Sequence, residues 1–205
     1  METFTRLCLI RHGQVVNYAE GVYNGHADVA MTDVGIGQIA AVAERLKNEN
    51  ISAVYCSDLV RSRKSAEIIA AVHNVTPVAY PSLRELDFGL WSGLTIEGVE
   101  KRFSGEMKAR SRSPVEYVVP GGESVMDLNQ RVAATVKKIL AAHGGKAVAL
   151  VAHGGVNRVV LAGALGLDLE RFYSIQQDYG CLNIIDYFSD FAVVKLMNGQ
   201  FRKDF

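Results

Sequence analysis

The sequence lacks the signature motifs of several enzyme classes. It contains no G-x-x-x-x-G-K-[ST] loop, which excludes ATP hydrolysis by a P-loop, and no G-x-S-x-G elbow that would carry a hydrolytic serine. Its five histidines show no H-E-x-x-H or H-x-H spacing, and its three cysteines form no C-x-x-C pair. We therefore expect no metal site and no disulfide framework.

Net charge and long apolar runs are also missing. Lys plus Arg and Asp plus Glu both number 22, so the formal net charge is zero, whereas binders of nucleic acid or anionic membranes need a basic face. No apolar run approaches the roughly 20 residues of a membrane-spanning helix. The acidic Glu2 and the short apolar stretch after it do not match a signal peptide. These absences predict a cytoplasmic protein with neither nucleic acid nor membrane as a partner.

What is present is an alternation of short apolar runs and amphipathic segments. The pattern predicts strands over 6–10, 52–56 and 147–152, an edge strand over 75–80 containing Pro77, and a closing hairpin over 182–197. It predicts helices from Thr32-Asp33, over about 59–73 and 123–143, and from 154 to about 165. Strands that alternate with helices indicate an α/β fold with a mainly parallel sheet.

Residues 81–122 differ from the rest of the chain. They contain three of the four prolines, the Gly121-Gly122 pair and many charges, and only Thr95 to Phe103 has a helical pattern. Long segments of this kind in a compact protein are usually functional. We therefore expect a cap-like insertion near a site.

Reactive residues follow three of the predicted strands. Arg11-His12 ends the first strand, Arg61 lies in the first turn after the second, and His153 ends the strand at 147–152. Ligands of open α/β sheets bind outside the carboxyl ends of the strands, so these side chains should meet at one edge. Guanidinium groups match phosphate oxygens two at a time, and a histidine ring nitrogen can attack phosphorus. The arrangement predicts phosphoryl transfer through a phosphohistidine.

The leaving alkoxide of such a reaction needs a proton. Glu85 and Asp87, which lie two residues apart, are both candidates for the general acid. The same carboxyl group could then activate water against the phosphohistidine. The spacing alone leaves the choice between them open.

Five segments, taken together, carry a recognisable pattern. In chain order they are Leu9-Ile10-Arg11-His12-Gly13 with Asn17 and Asn24-Gly25, then Ser57-Asp58-Leu59-x-Arg61, Leu83-x-Glu85-x-x-Phe88-Gly89-x-Trp91, Pro120-Gly121-Gly122-Glu123-Ser124, and Val151-Ala152-His153-Gly154-Gly155. The set resembles the histidine phosphatase superfamily, which includes the cofactor-dependent phosphoglycerate mutases. The resemblance implies one domain over residues 1–205, folded as a three-layer α/β/α sandwich, with no metal or organic cofactor.

The resemblance also implies a role for each matching residue. His12 would be the phosphorylated nucleophile, and Glu85 would be the proton donor. The phosphoryl group would be held by Arg11, Arg61 and His153. Phosphate binding would further involve Asn17, Asn24 and the backbone amide of Gly154. His26 matches no catalytic position of the pattern, and its role stays open.

The length of the insertion bears on the type of reaction. Mutases of this superfamily are generally longer between the third segment, residues 83–91, here called the acid loop, and the P-G-G-E-S segment. In this chain about 30 residues separate Trp91 from Gly121. A shorter cap leaves the phosphohistidine open to water, which favours a phosphatase acting on small phosphomonoesters. The alternatives are a cofactor-dependent phosphoglycerate mutase and a non-catalytic domain that binds phosphorylated ligands.

The sequence is compatible with more than one substrate and more than one oligomeric state. The layout is similar to α-ribazole phosphatases and to broad-specificity phosphatases of the same superfamily. The segment from Arg102 to Val119 carries four cations, which would either recognise an acidic substrate or form a solvated helix face; they are Arg102, Lys108, Arg110 and Arg112. A monomer and a homodimer paired through the hairpin edge are both compatible with the sequence.

Overall fold

A single mixed sheet organises the computed structural model, which describes residues 3–201. In chain order its strands are β1 Thr5–Arg11, β2 Ile51–Cys56, β3 Val78–Ala79, β4 Ala147–Ala152, β5 Leu182–Tyr187 and β6 Ala192–Gly199. They are arranged in space as β3-β2-β4-β1-β5-β6. The first four in that order are mutually parallel, and β5 runs antiparallel to both of its neighbours. The mainly parallel α/β sheet predicted from the sequence is confirmed.

Helices cover both faces of the sheet. They are α1 Asp33–Leu46, α2 Val60–Ala71, α3 Ile96–Arg102, α4 Glu106–Arg112, α5 Val125–Ala142 and α6 Gly154–Leu165. Successive residues of β1 point to opposite faces, so Leu7 and Leu9 pack with α5 and α6, whereas Cys8 and Ile10 pack with α1 and α2. The result is the three-layer α/β/α sandwich that the resemblance implied.

Polar caps fix where two of the helices begin. The Thr32 side chain accepts a hydrogen bond from the Gly35 amide, and Ser124 forms a reciprocal capping box with Asp127. The predicted start of the long helix at Glu123 was therefore too early. Ser124 is its N-cap and Glu123 lies outside it, where its carboxylate makes other contacts.

Two expectations about local structure were inaccurate. The predicted strand over 75–80 is reduced to Val78–Ala79, because Pro77 has no N–H for the ladder, although its place at the sheet edge is confirmed. The insertion holds a second helix, α4, which the sequence pattern missed. Trp91, Val99 and Val119 form a small core of their own there, so the insertion is a folded cap.

The three cysteines, Cys8, Cys56 and Cys181, are all buried and free. Burial raises the pKa of Cys8 to about 12, so that this thiol stays protonated. Over residues 3–201 there is no helix both long and apolar enough to cross a membrane.

Candidate active site

Three adjacent strands deliver the candidate residues to one edge. β4 lies between β1 and β2, and the paired residues Arg11 and Ala152 are the last of their strands. His12 and His153 therefore follow neighbouring strand ends, and the centres of their rings are 5.1 Å apart. The structure brings the two histidines together as predicted.

A hydrogen bond to the backbone occupies one ring nitrogen of His12. The residue is only 4% exposed, and its Nδ1 lies 2.8 Å from the carbonyl oxygen of Gly13. A carbonyl can only accept, so Nδ1 carries the proton and Nε2 has a free lone pair. Burial, with Arg11 and Arg61 nearby, lowers the pKa of His12 well below its usual value. The ring is thus neutral near pH 7, with the lone pair of Nε2 available.

Close backbone packing fixes the loop that carries His12. A Cβ atom on Gly13 would lie 2.2 Å from the carbonyl oxygen of Gly35, and one on Gly35 would lie 2.2 Å from the carbonyl oxygen of Gln14. Both contacts are too short for any side chain, so only glycine fits at either position. The first segment of the sequence pattern and the start of α1 are therefore one structural unit.

Two arginines flank the histidines. One N–H of Arg11 donates to the Gln177 carbonyl oxygen at 2.6 Å, and its guanidinium lies 3.9 Å from the centre of the Tyr179 ring. Arg61 is 2% exposed and donates to the carbonyl oxygens of Gly25 and Ala27 at 2.8 and 2.6 Å. These bonds use only some of the five N–H groups of each guanidinium, and the rest can bind an anion.

His153 is completely buried at the end of β4. Its Nε2 is 2.7 Å from the hydroxyl oxygen of Ser57, which the second segment supplies. Burial, followed by the positive charges of Arg61 and Arg11, lowers the pKa of His153. Within residues 3–201, His153 Nδ1 and Arg11 Nε have no hydrogen-bond partner although both are buried. Buried polar atoms are nearly always paired, so these two are suited to the oxygens of a ligand.

The Glu85 carboxylate lies against the start of α6. Both of its oxygens accept from the Gly155 amide, at 3.1 and 3.2 Å, and one also accepts from the Leu86 amide. Asp87 points elsewhere: it accepts from the Gly89 amide and faces His26 at 3.6 Å. Of the two carboxyl groups that the sequence left open, Glu85 is the one that contacts the first turn of α6, two residues after His153.

The predicted phosphate-binding residues occupy different positions. Asn17 and Asn24 form a reciprocal pair of amide hydrogen bonds, at 2.7 and 3.1 Å, next to the Gly25 carbonyl that holds Arg61. Gly154 begins α6, and a Cβ there would be 3.6 Å from Arg11 Nε. The positive end of α6 is thereby turned toward the arginines. The roles of these three residues toward phosphate stay predictions.

Arg131 holds the acid loop in place and was missed from the sequence. Its guanidinium donates to the backbone carbonyls of Ser82, Arg84 and Glu85 and pairs with Glu123. Glu123 in turn accepts from the Asp87 amide. The sequence clue to the pairing of Arg131 was Glu123 of the P-G-G-E-S segment, which lies just before the helix and not in it. His26 contributes by binding the Glu85 carbonyl at 2.9 Å.

Comparison with known proteins agrees with this geometry. A family model described as the histidine phosphatase superfamily (branch 1) matches residues 7–200. The chain belongs to this superfamily. A relative from Salmonella typhimurium, named adenosylcobalamin/alpha-ribazole phosphatase, is 28% identical over 95% of this chain and 96% of its own length. The solved α-ribazole phosphatase of Shigella flexneri superposes with a TM-score of 0.88 at 25% identity, covering 98% of this chain and 99% of that one.

A longer relative is also similar. The Arabidopsis thaliana protein named "Probable 2-carboxy-D-arabinitol-1-phosphatase" is 31% identical over 91% of this chain, which spans only 39% of that protein. The family and these relatives identify the chain as a phosphatase that acts on small phosphoesters. The resemblance stated from the sequence is confirmed, together with the phosphoglycerate mutase-like fold.

A methyl group on α6 should displace Glu85, the predicted proton donor of this histidine phosphatase. A Cβ on Gly155 would lie 2.3 Å from Glu85 Oε1, so Gly155→Ala must displace the carboxylate. A shift of about 1 Å at a reacting group can cost roughly 100-fold, and we expect kcat to fall by about that factor. Gly163→Ala, on the same helix where a Cβ meets nothing within 4 Å, is the matched control and should retain full kcat. Equal kcat values for the two variants would contradict this placement of Glu85.

The buried histidines should make the histidine phosphatase sensitive to mild acid. The folded state lowers the pKa of His12 and His153, so below pH ~6.5 the unfolded chain binds protons that the folded one does not. Stability is therefore full above that pH and declines as the pH falls toward the folded-state values, by up to about 1.4 kcal/mol per pH unit per histidine.

Urea unfolding at pH 7.5 and 5.5 measures this effect. His12→Ala removes one of the two groups, so the decrease in the free energy of unfolding between these pH values should be smaller than in the unchanged protein. An identical decrease in both proteins would show that His12 is not kept neutral by the fold.

Proposed function

We propose that this enzyme hydrolyses small phosphomonoesters in two steps through a phosphohistidine at His12 Nε2. The observation that carries the proposal is the hydrogen bond from His12 Nδ1 to the Gly13 carbonyl oxygen. It fixes the tautomer in which Nε2 is the nucleophile, between two arginines and a second histidine.

The first step transfers the phosphoryl group to the enzyme. The Nε2 lone pair forms a bond to phosphorus while the bond from phosphorus to the ester oxygen breaks. Glu85, in its protonated form, gives its proton to the departing alkoxide, so an alcohol leaves. Arg11, Arg61 and the N-terminus of α6 stabilise the negative charge spread over the three phosphoryl oxygens.

The second step returns the enzyme to its starting state. The Glu85 carboxylate takes a proton from a water molecule, whose oxygen then attacks phosphorus as the bond to Nε2 breaks. Inorganic phosphate leaves, and Glu85 is again protonated. The same carboxyl group, which contacts the Gly155 amide, serves as acid in the first step and as base in the second.

His153 is proposed to bind the phosphoryl group through its ring. Burial and, after it, the positive charges of Arg61 and Arg11 lower the pKa of His153, and the negative charge of a phosphoryl group acts in the opposite direction. Substrate binding would therefore favour uptake of a proton by this ring, which would add a positive charge at the phosphoryl oxygens.

A substrate panel tests the proposal. Phosphate release would be measured from p-nitrophenyl phosphate, α-ribazole 5′-phosphate, phosphoserine, 2-carboxyarabinitol 1-phosphate and 3-phosphoglycerate, with interconversion of phosphoglycerates followed in parallel. We expect phosphate release to exceed interconversion, because the cap between Trp91 and Gly121 is short. Faster interconversion would instead identify a mutase. Binding without turnover of any compound would identify a non-catalytic domain.

A further inference from the structure

One arginine of the cap is buried without an acidic partner. Arg110, on α4, is 9% exposed, and within residues 3–201 no carboxylate forms an ion pair with it. Arg6, Arg84 and Arg131 differ, because each pairs with Asp or Glu at short range. Arg112 lies on the same helix but is exposed. The cap cations are thus not all a solvated helix face.

The surroundings of Arg110 are aromatic. Its guanidinium carbon lies 5.3–5.8 Å from the ring centres of Tyr23, Phe88, Trp91 and Tyr173. One N–H also donates to the Tyr173 hydroxyl at 2.5 Å. Ring faces offset part of the cost of burying a charge but accept no conventional hydrogen bond, and within residues 3–201 the Tyr173 hydroxyl is the one oxygen that accepts from this guanidinium. If the only role of this residue were to fill the cage, an uncharged side chain would do so at lower cost, because burying a charge is unfavourable.

Arg110 is linked toward the active site through Tyr173, which accepts its hydrogen bond and also interacts electrostatically with a second arginine, Arg158. Phe88 lies three residues after Glu85, and Tyr173 lies two residues before Ile175, whose carbonyl holds Arg158 Nε at 2.8 Å. Arg158 Nη1 is close to Gly154, beside Arg11. Burial lowers the pKa of Arg158, the charge of Glu85 opposes this, and Arg11 adds to it, so all three groups share one electrostatic environment.

These contacts link cations of the strand end to a cation of the cap. Arg11 and Arg158 interact with the charges of Asp178 and, for Arg158, of Glu85, whereas in the described residues no carboxylate forms an ion pair with Arg110. A planar guanidinium fork is suited to a carboxylate or phosphate that it binds with two N–H groups.

We propose that Arg110 binds a second anionic group of the substrate, so that the preferred substrates are phosphomonoesters that also carry a carboxylate or another phosphate. The proposal rests on the proposed function, because it assumes that a phosphoryl group lies at His12. Arg158 would lie beside the segment of the substrate that joins the two anionic groups.

A matched pair of ligands tests the second anion directly. 3-Phosphoglycerate and glycerol 3-phosphate have the same carbon skeleton, and only the first has a carboxylate. Their affinities would be measured by calorimetry in the His12→Ala protein, which cannot turn them over, with and without Arg110→Met. We expect 3-phosphoglycerate to bind about 10- to 100-fold more tightly, and Arg110→Met to remove that preference. The exposed Arg112→Met is the matched control and should keep it.

Several outcomes would overturn the subsite. The first is equal affinity of the two ligands for the protein with Arg110 unchanged. The second is an equal loss of affinity for both ligands in Arg110→Met, which would indicate that Arg110 only stabilises the cap. With His12 restored, kcat/KM for p-nitrophenyl phosphate should change less than twofold in Arg110→Met. Failure of the proposed function gives a different pattern, in which no phosphomonoester is hydrolysed while the binding preference still reports on Arg110.

Discussion

His12→Ala should lower kcat for phosphate release by about 10⁴-fold or more, because the variant lacks the atom that accepts the phosphoryl group. Water would have to attack the ester directly, with only the arginines and His153 to stabilise the transferred charge. Steady-state phosphate release from p-nitrophenyl phosphate and from an alkyl phosphate measures the loss.

His73→Ala is the control for this change. His73 follows α2, away from the strand ends that form the site, and we expect its replacement to leave kcat within about twofold. If His12→Ala kept more than about a tenth of the activity while remaining folded, the nucleophile would have to be another group.

Glu85→Gln should produce the second largest effect, and its size should depend on the leaving group. An alkoxide leaves only with a proton, so kcat for an alkyl phosphate should fall by about 10²- to 10⁴-fold. p-Nitrophenolate is stable without a proton, so the first step with that substrate should be slowed far less. Glutamine has nearly the same shape and can still accept from the Gly155 amide, which limits any structural disturbance.

Asp87→Asn separates the two carboxyl groups that the sequence left open. Asp87 accepts from the Gly89 amide and faces His26, so its replacement should affect the acid loop only modestly. Single-turnover rates with both substrates distinguish the roles. A leaving-group dependence that follows Asp87 rather than Glu85 would reverse the assignment.

The reactive residues at the strand ends could be predicted because each lies at or directly after the end of its strand in the sequence. Arg11-His12 and His153 each follow an apolar run at once, and parallel strands present their carboxyl ends at one edge. The same reasoning placed Arg61 in the first turn after β2. The choice of Glu85 came from the resemblance, and the Gly155 amide that holds Glu85 only became visible in three dimensions.

The contacts that hold the site could not be predicted because they join distant segments. Arg131 lies in the middle of a long amphipathic helix, where a charged residue usually indicates a solvated face, yet it binds three carbonyls in and just before the acid loop. Arg110 has the same sequence signature as the exposed Arg112, and only the packing of the cap aromatics makes them different. Helix α4 was missed because its N-cap is Gly105, which has no side chain to signal a helix start, whereas Thr95 caps the equally short α3.

The central claim is that His12 carries the phosphoryl group during turnover. Mass spectrometry of peptides from enzyme quenched in alkali, in which the N–P bond survives, tests it most directly. The account predicts a phosphoryl group on the peptide containing His12, absent in His12→Ala and accumulating in Glu85→Gln with p-nitrophenyl phosphate. A phosphoryl group on another residue, or turnover with no labelled intermediate and direct attack of water on the ester, would contradict it.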